Sequence, residues 1–513
     1  MYVSYLCVLG HASLNCEIGR PSLPPAWMMS AECGRRGWQL LKNRAVPMRI
    51  CRLCFFLLMI GIFVPATAGL AQTGAFQGSA NSGPPSDQPL SLSLDEALKM
   101  GLRYNLGGID AEQSSQRAKG ENIVARSALY PNLSGALREN VEQIDLASFG
   151  FKFSFPPSLG IHLPNIVGPF NYFDLRGYLT QRVADLQAIR NYRSAREEQR
   201  AAEFSAADSR EIVVFVVTAA YLQVLAESAR VDSAKVQVDS AQTIFQQASD
   251  RFTAGLSAKI DMTRSQVELQ TEQQRLTTEE TDFAKQKIAL ARLIGLSPAQ
   301  SFTLADKIPY APLENITIEQ ALALAAQNRS DLKAAEAQLH AAEFSRKAAV
   351  AEHYPTLGIV ADYGVIGINP ANSHGTYDVS GQLQFPIWAG GHTHGDIVEA
   401  EANLKQRRAE YENTRSSVEA DVRNAYLDLD SAAEQVRVAQ SRRDLAHDQL
   451  AQSTDRFSSG VADTVEVTQA QEVVASAESD YIGNLNSHNL AKASVARAIG
   501  QAEKIMRDLL RSQ

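Results

Sequence analysis

The sequence predicts a mainly α-helical chain with a smaller β part, built from two copies of one unit of roughly 200 residues. Three observations carry this. Blocks of sequence return at a fixed offset. Long stretches lack both proline and glycine and step by threes and fours. Four shorter segments alternate apolar and polar residues, in matched pairs. The repetition is plain in the letters. Arg251-Phe252-Thr253-Ala254-Gly255-Leu256 returns as Arg456-Phe457-Ser458-Ser459-Gly460-Val461, 205 residues later. The same offset maps Tyr221-Leu222 onto Tyr426-Leu427, and Ala291-Arg292-Leu293-Ile294-Gly295 onto Ala496-Arg497-Ala498-Ile499-Gly500. Earlier in each copy, Leu94-Asp95-Glu96-Ala97-Leu98 matches Ile318-Glu319-Gln320-Ala321-Leu322, and Tyr130-Pro131-Asn132-Leu133 matches Tyr354-Pro355-Thr356-Leu357. A unit this long exceeds a solenoid repeat and implies a pseudo-symmetric object made from both halves.

The N-terminal 71 residues read as a targeting region. Arg44, Arg49 and Arg52 precede an apolar run from Phe55 to Val64, and Ala66-Thr67-Ala68 or Gly69-Leu70-Ala71 offers a small-residue cleavage site. Met48 is the expected start, with residues 1–47 an upstream extension. All five cysteines (Cys7, Cys16, Cys33, Cys51, Cys54) lie before that cleavage. The processed chain is thus thiol-free, as suits export into an oxidising compartment. Residues 72–90 read as a linker.

The first repeat is expected over residues 91–297. Residues 93–128 have helical composition, and Tyr130-Pro131 ends that helix, because the residue before proline disfavours the α region. The period then changes to two. Phe173, Leu175, Gly177 and Leu179 face one way, and Tyr172, Asp174, Arg176, Tyr178 and Thr180 the other. The segment opening with Leu133 and Leu137 is the weakest strand, because Glu139 breaks its apolar face. From about Ala184 to Phe252 no breaker occurs, which predicts a helix on the order of 100 Å long. Its seam reads Val231, Ala234, Val238, Ala241, Phe245, Ala248 and Phe252. The returning seam reads Met262, Leu269, Leu276, Phe283 and Leu290. Gly255 marks the reversal, where a glycine just past the last turn takes a left-handed conformation, and the aromatic before each reversal, Phe252 or Phe457, is expected to fold over the pair and close the seam at the tip.

Residues 298–315 read as a second linker, 316–500 as the second repeat and 501–513 as a tail. The second hairpin is cleaner. Leu357, Ile359, Ala361, Tyr363 and Val365 form one apolar face, and Tyr377, Val379, Gly381, Leu383, Phe385 and Ile387 another. Val436, Ala439, Ala446, Leu450 and Phe457 hold the outgoing seam, interrupted by Arg443 and Ser453. Val467, Val474, Tyr481 and Val495 hold the return, interrupted by His488. These interruptions suggest a wet face. Gly460 marks the second reversal.

After residue 71 no unbroken run of 18 apolar residues exists, so a membrane-spanning helix is not expected. A bilayer could still be crossed as a β-barrel. The alternating segments are about as long as a tilted transmembrane strand requires. Phe385 and Trp388 sit where membrane-girdle aromatics belong. Four strands cannot enclose a pore, so several chains would have to share one barrel.

The duplicated unit, Tyr-Pro-x-Leu opening each hairpin, Phe385-Pro386-Ile387-Trp388-Ala389-Gly390-Gly391, the Phe-x-x-Gly tips and the Ile-Gly ends together resemble the TolC-type outer-membrane efflux proteins over about residues 92–500. Leu179-Thr180-Gln181-Arg182-Val183-Ala184 and the long loop from Ala147 to Asn171 depart from that pattern. The resemblance implies a homotrimer with a shared 12-stranded barrel in outer-membrane lipid and a periplasmic helical tunnel. It implies that the tips (Arg251, Phe252, Gly255, Leu256, Arg456, Phe457, Gly460, Val461) meet a periplasmic adapter coupled to an inner-membrane pump. It implies that Asp261 and Glu466, each six residues past its tip glycine, line the periplasmic gate. The function expected is passive export in a tripartite efflux or type I secretion system. The alternative is a soluble periplasmic coiled-coil scaffold or adapter.

Other classes fit poorly. A net charge of −8 argues against a nucleic-acid partner. Cys pairs, His-x-x-x-His and phosphate loops are lacking, so neither an enzyme nor a cofactor is expected. Gly391-His392-Thr393-His394-Gly395 reads as an exposed turn, not a metal site.

Overall fold

The computed structural model describes residues 74, 76–80, 83–84, 88–150, 164–306 and 317–509, all within one compact unit, Leu70–Gln513. The expected leader, its cysteines and Met48 lie outside the described residues. So do residues 72–73, 75, 81–82 and 85–87 of the linker, the middle of the 147–171 loop and residues 307–316.

The elements run β1 (Leu90–Leu92), α1 (Leu94–Tyr104), α2 (Leu106–Ser127), β2 (Asn132–Asp145), β3 (Ile166–Ala184), α3 (Leu186–Thr253), α4 (Lys259–Ile294), β4 (Phe302–Leu304), α5 (Ile318–Asn328), α6 (Ser330–Ala351), β5 (Thr356–Gly367), β6 (Ser373–Gln384), α7 (His392–Ser458), α8 (Thr464–Ala498) and α9 (Ala502–Leu509). Apart from the short strands, the order helix–helix–strand–strand–helix–helix occurs twice. Each copy opens on a capping box. The Ser93 side chain takes the Glu96 N–H while Glu96 reaches back, and Thr317 and Gln320 do the same.

The helix expected over 93–128 is two helices. It breaks at Asn105, whose side chain caps Gly107 N–H at 3.0 Å and donates to the Phe76 carbonyl at 2.9 Å. Buried polar groups must be paired, and Asn105 is buried. The second copy breaks at Arg329, 224 residues on, the offset that also relates Leu94 to Ile318. There the guanidinium grips Asp331 at 2.8 and 2.6 Å and Asp421 at 3.1 Å.

The 68-residue α3 and 67-residue α7 each extend about 100 Å. α3 folds back on α4 and α7 on α8, α6 lies against both α3 and α7, and α8 joins the halves by packing on α3. Two apolar cores occupy equivalent places. One gathers Leu94, Leu98, Val213, Val217, Tyr221, Leu290 and Ile294. The other gathers Ala321, Val418, Val422, Ala425, Val495 and Ile499. Burying a Val, Leu or Ile contributes about 1.5–3 kcal/mol, so these clusters anchor the rods, which carry only smaller clusters further along. By length and composition α3 does contain a stretch apolar enough to cross a membrane, which the sequence reading excluded; more than half of that stretch is buried inside the protein. β4 falls in the expected 298–315 linker and pairs in parallel with β1, Leu90 opposite Phe302.

Three seam expectations need correction. On α3 the buried positions are Val231, Ala234, Gln237, Ala241, Ile244 and Ala248, so Gln237 and Ile244 displace Val238 and Phe245. The helix has neighbours on two sides, α4 and α8, which rotates its buried stripe away from a two-helix seam. The face taken as wet is largely closed, since Ser453 and His488 are buried and Arg443 stacks on Tyr481 at 4.2 Å. Phe252 and Phe457 are not equivalent: Phe457 is 4 % exposed and Phe252 37 %.

The long strands form one antiparallel sheet ordered β2-β3-β5-β6. β3, with 19 residues, outruns the predicted length. β6 stops at Gln384, short of Phe385 and Ile387, because Pro386 cannot donate to a ladder.

Candidate functional site

Register puts like with like on the sheet. Leu133 faces Leu179, Leu137 faces Leu175, Val365 follows across β3, Ala361 faces Val379, Tyr363 faces Tyr377 and Leu357 faces Leu383. Most of this apolar face is exposed, including Leu133, Leu137, Val379 and Leu383. In water such a continuous patch would be an aggregation surface; against lipid it is a solvated wall. Glu139, the predicted breaker, lies on this face near its loop end and accepts from Asn171 at 2.9 Å. The opposite face is polar. There Arg176 pairs with Asp174 and Asp362 and donates to Thr376 at 3.1 Å. Trp388, 89 % exposed, and Phe385 follow the end of β6.

At the opposite end of the long helices, both reversals are Schellman motifs. Leu256 N–H reaches the Arg251 carbonyl at 2.8 Å and Gly255 N–H the Phe252 carbonyl at 2.9 Å; Val461 to Arg456 and Gly460 to Phe457 repeat this at 2.9 and 3.0 Å. Gly255 and Gly460 both sit at φ +77°, a left-handed conformation that a side chain would strain. The tips lean on one another. Arg251 lies 4.7 Å over the Phe457 ring and donates to its carbonyl at 2.6 Å, while Phe457 packs with Ile244, Ala248 and Val467. Leu256, Val461, Phe252 and Ile260 remain exposed around this contact.

The two predicted acids are each held by an arginine. Asp261 accepts from Thr464 across the hairpins at 2.9 Å and lies 3.6 Å from Arg264. Glu466 lies 3.0 Å from Arg456. The sequence reading named no partner for either acid, although the position of Arg264 three residues after Asp261 on a helix was legible. Deeper along α4, Glu268 and Glu272 are both raised from the ordinary carboxylate range. Burial is the first cause for each, and the nearby Glu472 carboxylate adds to it.

Residues 321–501 match the family model of the outer membrane efflux protein. The fold agrees with solved structures: the outer membrane protein VceC of Vibrio cholerae (TM-score 0.66, 18 % identity, 79 % of this chain and 96 % of that one) and the Campylobacter jejuni CmeC outer membrane channel (TM-score 0.68, 15 % identity, 85 % and 95 %). The match to that family falls in the second half of the chain. Among curated relatives, the chain is 24 % identical to outer membrane protein OprJ of Pseudomonas aeruginosa, over 81 % of this chain and 84 % of that one. It is 23 % identical to the pyoverdine export outer membrane protein OpmQ of the same species, over 60 % of this chain and 65 % of that protein.

Proposed function

We propose that this protein is a passive outer-membrane duct, working as a homotrimer that docks a periplasmic adapter and takes its energy from an inner-membrane pump. The observation that carries the reading is the open sheet. β2 and β6 are its edges, with 14 and 12 residues of backbone to satisfy. Lipid offers no hydrogen bonds to such edges, and four strands are too few to close. Three copies supply twelve strands, each β2 meeting a neighbour's β6, with the apolar face outward and the Arg176 face lining the lumen.

The exposed apolar groups at the tips, Leu256, Val461, Phe252 and Ile260, supply the adapter-docking surface, held rigid by the Arg251–Phe457 contact. Asp261 and Glu466 serve as the periplasmic gate, with Arg264 and Arg456 as the cations they engage. Planar-bilayer recording of the refolded processed chain, paired with native mass spectrometry, tests the reading. Discrete conductance steps from a trimer are expected; a monomer without conductance refutes it. The soluble-scaffold alternative leaves the exposed apolar strand face without an environment, and a sarkosyl-soluble protein in cell fractions would be its signature.

A further inference from the structure

We infer that the junction between α6 and α7, where the chain enters and leaves the second β-hairpin, is a binding site for a transition-metal dication such as Zn2+. Its ligands would be Glu352, His392 and Asp396. The sequence reading placed His392 and His394 in an exposed turn. In the structure α7 begins at His392, which changes what His392 can reach. Its Nδ1 lies 3.0 Å from Asp396 Oδ2, one turn further on, and 4.0 Å from Glu352 Oε2, just past the end of α6. All three ligand atoms fall within 4.8 Å of one another, and no other such trio of His, Cys, Asp or Glu occurs among the described residues.

That spacing suits one ion. Bonds of about 2.0–2.2 Å at tetrahedral angles put ligand atoms roughly 3.3–3.6 Å apart, so closing the set needs carboxylate movements of up to about 1 Å, within the reach of side-chain rotation. The donor set of one imidazole and two carboxylates suits a borderline dication. Glu352 is also oriented for the task. Its other oxygen accepts from Gln187 at 2.8 Å, the kind of outer contact that fixes a ligating carboxylate. One effect opposes binding: the start of α7 carries a partial positive charge of about half a unit. The two carboxylates bring about four times that charge in the opposite sense. Solvent can complete the coordination, because His392 is largely exposed. His394 contributes no atom to the group. An ion here would tie the strand-entering helix to the strand-leaving one at the base of the hairpin.

The test is Zn2+ titration of the full processed protein in detergent, by calorimetry and equilibrium dialysis. The expected result is one saturable Zn2+ per chain. Affinity should fall at least tenfold in His392→Ala, Asp396→Asn and the positioning variant Gln187→Leu, and stay unchanged in His394→Ala. Circular dichroism of each variant checks folding. X-ray absorption of the Zn2+-loaded wild type gives a second readout that needs no variant, and should report one imidazole nitrogen among oxygen donors. Absence of saturable binding, binding that survives His392→Ala, or a zinc shell with two or more imidazoles overturns the inference.

Discussion

Truncating Phe457 should loosen the periplasmic tips, and truncating its repeat-equivalent Phe252 should not. Phe457 is buried among Ile244, Ala248 and Val467, with Leu450 beside it and Arg251 above its ring. Buried Phe→Ala substitutions cost about 3–5 kcal/mol, and less where the surroundings can collapse. The end of a hairpin can collapse, so the lower figure of about 3 kcal/mol applies. At 1.4 kcal/mol per decade that is roughly a hundredfold loss of protection against local opening. More than a third of Phe252 is already exposed, so Phe252→Ala should cost about 1 kcal/mol, or fivefold. Hydrogen exchange read by mass spectrometry on peptides covering 244–256 and 450–467 measures both. The Arg251 bond to the Phe457 carbonyl involves backbone and survives the substitution, so the contrast reports the ring itself. Equal loss in the two variants, or a larger loss in Phe252→Ala, would refute the placing of Phe457, and not Phe252, in the tip core.

Other expectations follow from the same geometry. Asp261→Asn with Glu466→Asn leaves Arg264 and Arg456 without their acids, so the reversal potential in a salt gradient should move toward anion preference; unchanged selectivity would count against a gate there. Val379→Arg puts a charge on the lipid face at a cost of about 2–4 kcal/mol near mid-membrane and should reduce trimer recovered from the outer membrane, whereas Gln382→Arg on the opposite face should be tolerated. Glu272 is held above its ordinary 4.5, first by burial, so the folded protein binds that proton more tightly than the unfolded chain. Stability from this site is then fullest below 4.5 and is lost as pH rises through the raised value. Glu272→Gln should therefore raise the thermal midpoint at pH 7 relative to wild type, with the gain shrinking toward pH 4; a gain independent of pH would contradict this.

Much of the architecture was legible in the letters. The two repeats, the glycine reversals at Gly255 and Gly460 and the alternating faces around Leu179 and Leu383 are written in local composition and period. Legibility failed where an outcome depended on a distant partner. Asn105 looks like any helix residue until Phe76 is seen against it. Gln237 is polar and was passed over, yet it is buried where α3 has neighbours on two sides. Asp261 and Glu466 were found by position past the tip glycines, but the Thr464 and Arg456 contacts that hold them came only from the fold.

The sequence by itself determined the kind of the long helices and long strands and the outward character of those strands, because a period of 3.6 or 2 and the backbone limits of glycine and proline act within a few residues. The tertiary structure alone decided which of two duplicated phenylalanines is covered, which heptad positions face inward, and that Glu352 and His392, forty residues apart, share one corner. Those outcomes turn on the register and rotation of segments packed together across the fold. A shift of a fraction of a helical turn would change every one of them while leaving the local pattern untouched.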